Sequence, residues 1–465
     1  MEHIESGSRR LLSTIPATEM KSSSFHFHPG DVLYGRLRPY LNKVFYATFE
    51  GLCSSEFIVL PQSEAHDSRF LAMYLSTDGF VEFANQLNKG DRPRVSWDQI
   101  SDHNIPLPPR HEQERIADGI EILSDRIGEC QQRLERIPIL LKRFRQSVLA
   151  AACSGKLTED WRERFANMES ADEILQSHAA ETASRERNMR RLKPANGLTL
   201  LDYSTELPQS WTWKMARELV RLGAIIDVQD GNHGELYPRK EDFAEEGVPY
   251  ISAESVSGGR ILSKTAPRLK PGKASTLRIG FTKPGDVILT HNATVGRVAI
   301  IPPELATAVL STSTTYYRTD PDVLLPEYLY LYLSSELYQT QLRTVMEQTT
   351  RNQVPVTKQV ELSIAVPHPK EQKLIAVRAQ QLLLLADQME IRYSKARAYL
   401  DKLTPAILAK AFRGELVPQD PNDEPAEKLL ERIRAARSEQ GSRAASKEGK
   451  SGRPKSRKKI ALTKK

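Results

Sequence analysis

The sequence predicts an α+β chain: two modules, each a small twisted β-sheet with helices and each followed by a long helix, with the two long helices pairing on each other. Three observations carry this. They are a gapless internal repeat, an apolar seven-residue seam inside each copy, and a strand-rich, turn-punctuated stretch ahead of each copy.

Residues 105–157 align onto residues 364–416 at a constant offset of 259, with 14 of 53 positions identical. A duplicated unit constrains the fold before any motif does. The matches include Pro108 with Pro367, Glu112-Gln113 with Glu371-Gln372, Ile116-Ala117 with Ile375-Ala376, and Gly155 with Gly414.

Within the first copy, Ile116, Ile120, Leu123, Ile127, Cys130, Leu134, Ile137, Leu141, Phe144 and Val148 alternate spacings of four and three. The second copy sets Ile375, Ala379, Leu382, Ala386, Met389, Tyr393, Ala396, Leu400, Leu403 and Ile407 in the same register. A strict heptad repeat keeps one stripe facing a partner helix, so both seams need covering, and packing on each other covers them with internal pseudo-twofold symmetry. Periodicity leaves their relative direction open. About 40 helical residues span roughly 60 Å. Pro138 and Pro405 should kink or interrupt the helices, and Gly155 and Gly414 fit helix-ending positions that need a positive φ.

The stretches ahead of the helices also match. HPGDVLYGRLRPYLNKVFYA begins at His28 and KPGDVILTHNATVGRVAII at Lys283; Pro-Gly-Asp followed by alternating β-branched residues reads as a turn into a strand. FLAMYLS from Phe70 parallels YLYLYLS from Tyr328, each a short helix on the sheet, with Tyr328, Tyr330 and Tyr332 as packing residues. The boundaries that follow are a first module at 1–109, its repeated helix at 110–157, a linker at 158–204 read as helical and solvated, a second module at 205–368, the second repeated helix with a short helix at 369–437, and a basic tail at 438–465. The opening of the second module, 211–250, has no counterpart in the first, which lacks about 45 residues by this alignment. A truncated or mis-started chain and a shortened module that folds by other means both stay open.

A chain of 465 residues favours two or three domains. Its uninterrupted apolar stretches, such as 382–386, are far short of the roughly 20 residues that cross a bilayer, and with no signal-peptide pattern the chain reads as cytoplasmic. Cys53, Cys130 and Cys153 are odd in number without C-x-x-C spacing, which argues against a disulfide framework and a zinc site, and they read most simply as small buried apolar residues. Of the net charge of +7, residues 441–465 contribute ten Lys or Arg against Glu448, or +9, leaving about −2 for the rest. A DNA-binding surface on the folded part must then come from local clustering. The tail reads equally as a phosphate-neutralising arm or as a disordered solubilising one.

IPLPPRHEQERI, RIPILLKRFRQSVLAAACSGKL, ILAKAFRGELVPQDPNDEPAEKLLERIRAAR and the module opening LPQSWTW resemble the specificity subunit of type I restriction-modification systems. The resemblance implies two target recognition domains, each reading half of a split DNA site, and an antiparallel coiled coil that fixes the spacing. It implies as partners double-stranded DNA, two methyltransferase subunits that carry S-adenosylmethionine and methylate adenine, and restriction/translocase subunits; no cofactor would be bound by this chain. The residues agree with a non-catalytic role. There is no Asn-Pro-Pro-Tyr or Asp-Pro-Pro-Tyr run, no phosphate loop and no H-E-x-x-H. The alternative is a coiled-coil adaptor that binds the methyltransferase but reads one half-site or none.

Candidate DNA contacts in the second module are Thr290, His291, Asn292, Thr294 and Arg297 after the strand at 287–289, and Arg351, Asn352 and Gln353 in QTTRNQ. Such side chains serve phosphates or base edges, Arg favouring guanine and Asn adenine; the plain alternative is a polar loop capping a sheet. In the first module Arg36, Arg38 and Lys43 occupy the corresponding strand and loop, and Arg92 and Arg94 flank Pro93 where the second module has Arg351 and Gln353. Solvated surface is the competing reading there. His26 and His28 lack a third ligand at suitable spacing, so no metal site is expected.

Overall fold

A computed structural model describes residues 2–16, 18, 23–88, 90–165, 167–182, 206–347, 352–435 and 438. Most of the basic tail and residues 183–204 of the linker therefore lie outside the described residues. Contacts divide the chain into two units, one formed by Met1–Glu135 with Ser394–Lys465 and the other by Arg136–Tyr393. Helices and sheets mix in both. Among the described residues no helix is long and apolar enough to cross a membrane.

The first unit is centred on a three-stranded antiparallel sheet, ordered Val44–Tyr46, Val32–Gly35, Phe57–Leu60. Every residue of Val32–Gly35 is buried because both faces are covered. Val32 and Tyr34 pack with Leu71, Leu75 and Phe80, while Leu33 packs with Phe27, Phe45 and Phe57. The helix Ser68–Leu75 starts where the Asp67 carboxylate accepts the N–H groups of Arg69 and Phe70 at 2.8 and 3.1 Å, satisfying donors that a helix start leaves free.

The second unit repeats this centre and adds to it. Its antiparallel sheet runs Val298–Ile300, Val287–Thr290, Thr314–Thr319, Ile225–Asp230. Val287 and Leu289 face a core containing Tyr328 and Tyr332, and Ile288 faces the opposite one with Tyr316. Of the three tyrosines of the stripe, Tyr328 and Tyr332 are fully buried, their hydroxyls donating to Ala365 O at 2.6 Å and Ser363 O at 3.1 Å, and Tyr330 is half-buried. The Pro-Gly-Asp turns also match: the Asp31 carboxylate accepts the His28 N–H at 2.8 Å, as Asp286 accepts that of Lys283 at 2.7 Å. The strand Ile225–Asp230 has no counterpart among the described residues of the first unit, and a further four-stranded sheet (Val309–Leu310, Val248–Ile251, Arg268–Leu269, Phe243–Ala244) belongs to the second alone.

The first repeated helix is two helices, Arg110–Glu135 and Ile137–Cys153. Pro138, at the start of the second, has no N–H to donate and its ring crowds the preceding turn, so the break falls at Arg136. Pro405 instead sits inside one helix, Pro369–Phe412, flanked by residues whose packing holds it, with Leu408 and Ala411 in the core beside Ile116, Ala117 and Ile120. In the second unit Val148 and Ala152 share a core with Ile375 and Ala379. The seams are buried at these ends, but Cys130, Phe144 and Met389 towards the middle are exposed. Cys53 and Cys153 are buried; Cys130 is not, because heptad position alone does not bring a covering side chain to it. Gly155 and Gly414 end their helices at φ 81° and 74°, where a Cβ would be strained.

The linker is helical at Glu159–Arg164 and Ala171–Glu181. It is not merely solvated, since Ala171 and Leu175 enter the core of the second unit.

Candidate nucleic-acid interface

The candidate loops sit at the ends of the central strands, and each is zipped to a second segment by backbone hydrogen bonds. In the second unit the Thr290 N–H donates to Arg297 O and the Gly296 N–H to Thr290 O, both at 2.9 Å, closing the loop. The Val354 N–H then donates to His291 O at 2.8 Å and the Ala293 N–H to Asn352 O at 3.2 Å, with Asn292 bridged to Gln353. In the first unit the Gly35 N–H donates to Lys43 O at 2.8 Å, the Val95 N–H to Arg36 O at 3.0 Å and the Arg38 N–H to Pro93 O at 2.8 Å, with Leu37 bridged to Arg94. Arg38 and Ala293 both adopt the left-handed region, at φ 53° and 62°. The same clamp is thus built twice, from segments whose side chains differ.

Within the clamp the candidates separate by what they already hold. Thr290 is buried and its Oγ1 accepts the Arg297 N–H at 2.9 Å. The Arg297 guanidinium donates to Val256 O at 3.0 Å, so it staples the loop to its neighbour. Asn292, Thr294 and Gln353 are half-buried and Asn352 is exposed; these four have the donors and acceptors to meet a base edge. Arg351 lies outside the described residues. In the first unit Arg36, Arg38 and Lys43 are half-buried and Arg92 is exposed. Arg94 is exposed but engaged, its Nε and Nη2 donating to Glu56 Oε2 and Oε1 at 3.0 and 2.8 Å. That hydrogen-bonded guanidinium holds the Glu56 carboxyl below its usual value, and a phosphate would have to compete with it.

His291 is a special case. It is buried, and neither ring nitrogen finds a hydrogen-bond partner among the described residues. Burial pushes the imidazole down to about 4, opposed by the nearby Asp230 carboxylate. The ring is therefore neutral at pH 7. As pH falls below about 6.5 the unfolded chain takes up a proton that the folded one refuses, so stability declines until about pH 4, by about 3 kcal/mol in all. Denaturant titration of the second unit is expected to show a loss on the order of 2 kcal/mol between pH 7 and pH 5, and His291→Gln should flatten it.

Several participants are invisible in the sequence. Glu56 lies 38 residues from Arg94 and no local pattern pairs them. Arg318, half-buried on the strand Thr314–Thr319, pairs with the buried Asp286 at 2.7 Å. Asn232 is buried and its Oδ1 accepts the Arg278 N–H at 3.0 Å. Glu50 approaches His26 at 2.9 Å, so it, His26 and His28 form an exposed group of three potential ligands; Glu50 comes from beside the strand paired with His26 and could not be found by spacing.

A family model described as the type I restriction modification DNA specificity domain matches residues 5–138 and 217–390. Similar curated proteins include the type I restriction enzyme EcoBI specificity subunit of Escherichia coli, 25% identical over 83% of this chain and 75% of that one. The EcoKI specificity subunit of Escherichia coli strain K12 is 28% identical over 76% of this chain and 67% of its own length. The MjaVIII specificity subunit of Methanocaldococcus jannaschii is 21% identical over 79% and 75%. Among solved structures, a chain from work on complex assembly and conformational transition of the type I R-M system shares the fold at a TM-score of 0.61, with 19% identity over 89% and 90% of the two chains. The HsdS subunit from Thermoanaerobacter tengcongensis does so at 0.54, with 19% identity over 89% of each. One family description thus covers both copies of the clamp, and the chain belongs to the type I restriction-modification DNA specificity family.

Proposed function

We propose that this chain is the non-catalytic DNA-reading subunit of a type I restriction-modification complex, acting in the cytoplasm. Its first module, 1–109, and second module, 205–368, each read one half of a split site, and the repeated helices at 110–157 and 369–437 act as ruler and docking surface. The carrying observation is the clamp built twice, Leu37 to Arg94 and Asn292 to Gln353. Two equivalent frames bearing different side chains suit two different half-sites, because phosphate contacts position a protein and base contacts specify. That duplication favours this reading over an adaptor that reads one half-site or none. Candidate contacts are Asn292, Thr294, Arg351, Asn352 and Gln353 in one frame and Arg36, Arg38, Lys43, Arg92 and Arg94 in the other; Thr290, His291 and Arg297 hold the loop. Two methyltransferase subunits would dock on the helices and supply S-adenosylmethionine, flipping the target adenine to reach it, with restriction subunits joining for cleavage.

The helices support an antiparallel pair. Ile116 and Ile120 meet Leu408 and Ala411, whereas the later Val148 and Ala152 meet the earlier Ile375 and Ala379. Removing one heptad from each helix shortens a pair of this kind by about 10 Å, or roughly 3 base pairs. The spacer between half-sites in methylated DNA is expected to shrink accordingly; an unchanged spacer would sink the ruler.

A further inference from the structure

The two copies of the repeat share their walls but not their contents at one socket. In the second unit Trp211 is buried, its Nε1 donates to the Glu371 carboxylate at 2.9 Å, and its ring stands edge-on to Tyr328. The residues that follow, Thr212–Met215, pair antiparallel with Ser363–Val366. In the first unit the repeat places Glu112 at Glu371 and residues 105–107 at 364–366, the residue before them falling at Ser363, and the matched short helices place Phe70 at Tyr328. The frames agree in detail: Gln113 accepts the Asp67 N–H at 2.8 Å and donates to Pro108 O at 2.8 Å, as Gln372 accepts the Leu325 N–H at 2.8 Å and donates to Pro367 O at 2.9 Å.

What differs is occupancy. Glu112 is only 5% exposed, accepts no side-chain hydrogen bond among the described residues, and has its carboxyl raised by burial. It lines a cavity of about 270 Å³ with Phe70, Pro106, Leu107, Ile116 and Phe412. A dry cavity of roughly 150 Å³ already takes a benzene ring, so this one has room for an indole. Residues 104–107 carry no strand partner among the described residues. A mostly buried carboxylate residue that no described side chain hydrogen-bonds, an aromatic-walled cavity and a bare backbone edge thus coincide.

We propose that this socket binds an extended, tryptophan-bearing peptide segment of the kind formed by residues 207–215, supplied from outside these 465 residues. The indole N–H would donate to Glu112, the ring would stand against Phe70, and the following residues would add a strand to 104–107. The chain's own tryptophans do not fill it. Trp211 and Trp213 belong to the equivalent site of the second unit, Trp161 stacks on Phe165 at 5.1 Å, and Trp97 is 53% exposed at the start of its own helix. The inference stands whether or not the loops read DNA.

The test is calorimetric titration of the full chain with the synthetic peptide LPQSWTWKM, with hydrogen exchange to locate it. Saturable binding in the micromolar range is expected, with protection of the Ile105 and Leu107 amides. Alanine at the first peptide tryptophan should weaken it at least ~10-fold, and Glu112→Gln in the chain several-fold with an unchanged melting temperature. The peptide variants leave the protein intact, so misfolding cannot mimic the result. Absence of saturable binding up to millimolar peptide, indifference to the first tryptophan, or protection confined to 363–366 would overturn the proposal.

Discussion

Replacing Glu371 by alanine is expected to destabilise the second unit by roughly 3–5 kcal/mol. The carboxylate is fully buried and accepts from Thr158 Oγ1 at 2.6 Å, from Trp211 Nε1 at 2.9 Å and from Arg162 Nη1. Its removal leaves the Arg162 guanidinium, itself 19% exposed, as a buried charge without its counterion. That penalty outweighs any gain from relieving desolvation. For a domain of this size it corresponds to a fall of roughly 6–20 °C in melting temperature. Glu112→Ala at the equivalent position of the first unit should cost far less, since its raised carboxyl accepts no hydrogen bond to lose. Thermal unfolding of both variants checks the contrast; equal losses would mean that the network around Glu371 does not hold the module opening.

The double substitution Asn352→Ala, Gln353→Ala is expected to relax recognition at one or two positions of the second half-site. The clamp itself is backbone-made, through the Ala293 and Val354 N–H groups, so alanine preserves the frame and removes only the amides. Each lost base contact should cost about 1–3 kcal/mol of discrimination, or roughly 5- to 150-fold for the correct base against its competitors. Loss of a phosphate contact would instead weaken all sequences alike and reduce the salt slope by about 1. Binding to a panel of single-base variants at two salt concentrations separates these outcomes. Unchanged discrimination would remove both residues from the reading surface.

Much of the architecture was legible because it is written twice. The offset of 259 located both long helices, a second match at an offset of 255 paired the Pro-Gly-Asp turns, and local chemistry then placed the break at Pro138 and the helix-ending glycines. Residue type was a weaker guide to the loops. Arg297 is exposed while its guanidinium donates to Val256 O, and His291 is buried, because composition does not say which way a side chain turns. Partners distant in sequence could not be read at all: Trp211 and Glu371 are 160 residues apart, and Glu56 gives no sign that it will neutralise Arg94. The exposed Cys130 shows the same limit, as the heptad fixed its stripe but not what would cover it.

Reading of two half-sites is measured most directly by expressing the chain with its neighbouring methyltransferase in a host without adenine methylation and mapping methylated adenines across the genome. The expected result is a motif in two specific parts separated by a spacer of fixed length. A purified complex that assembles yet methylates one half motif, or adenines without sequence preference, would contradict it.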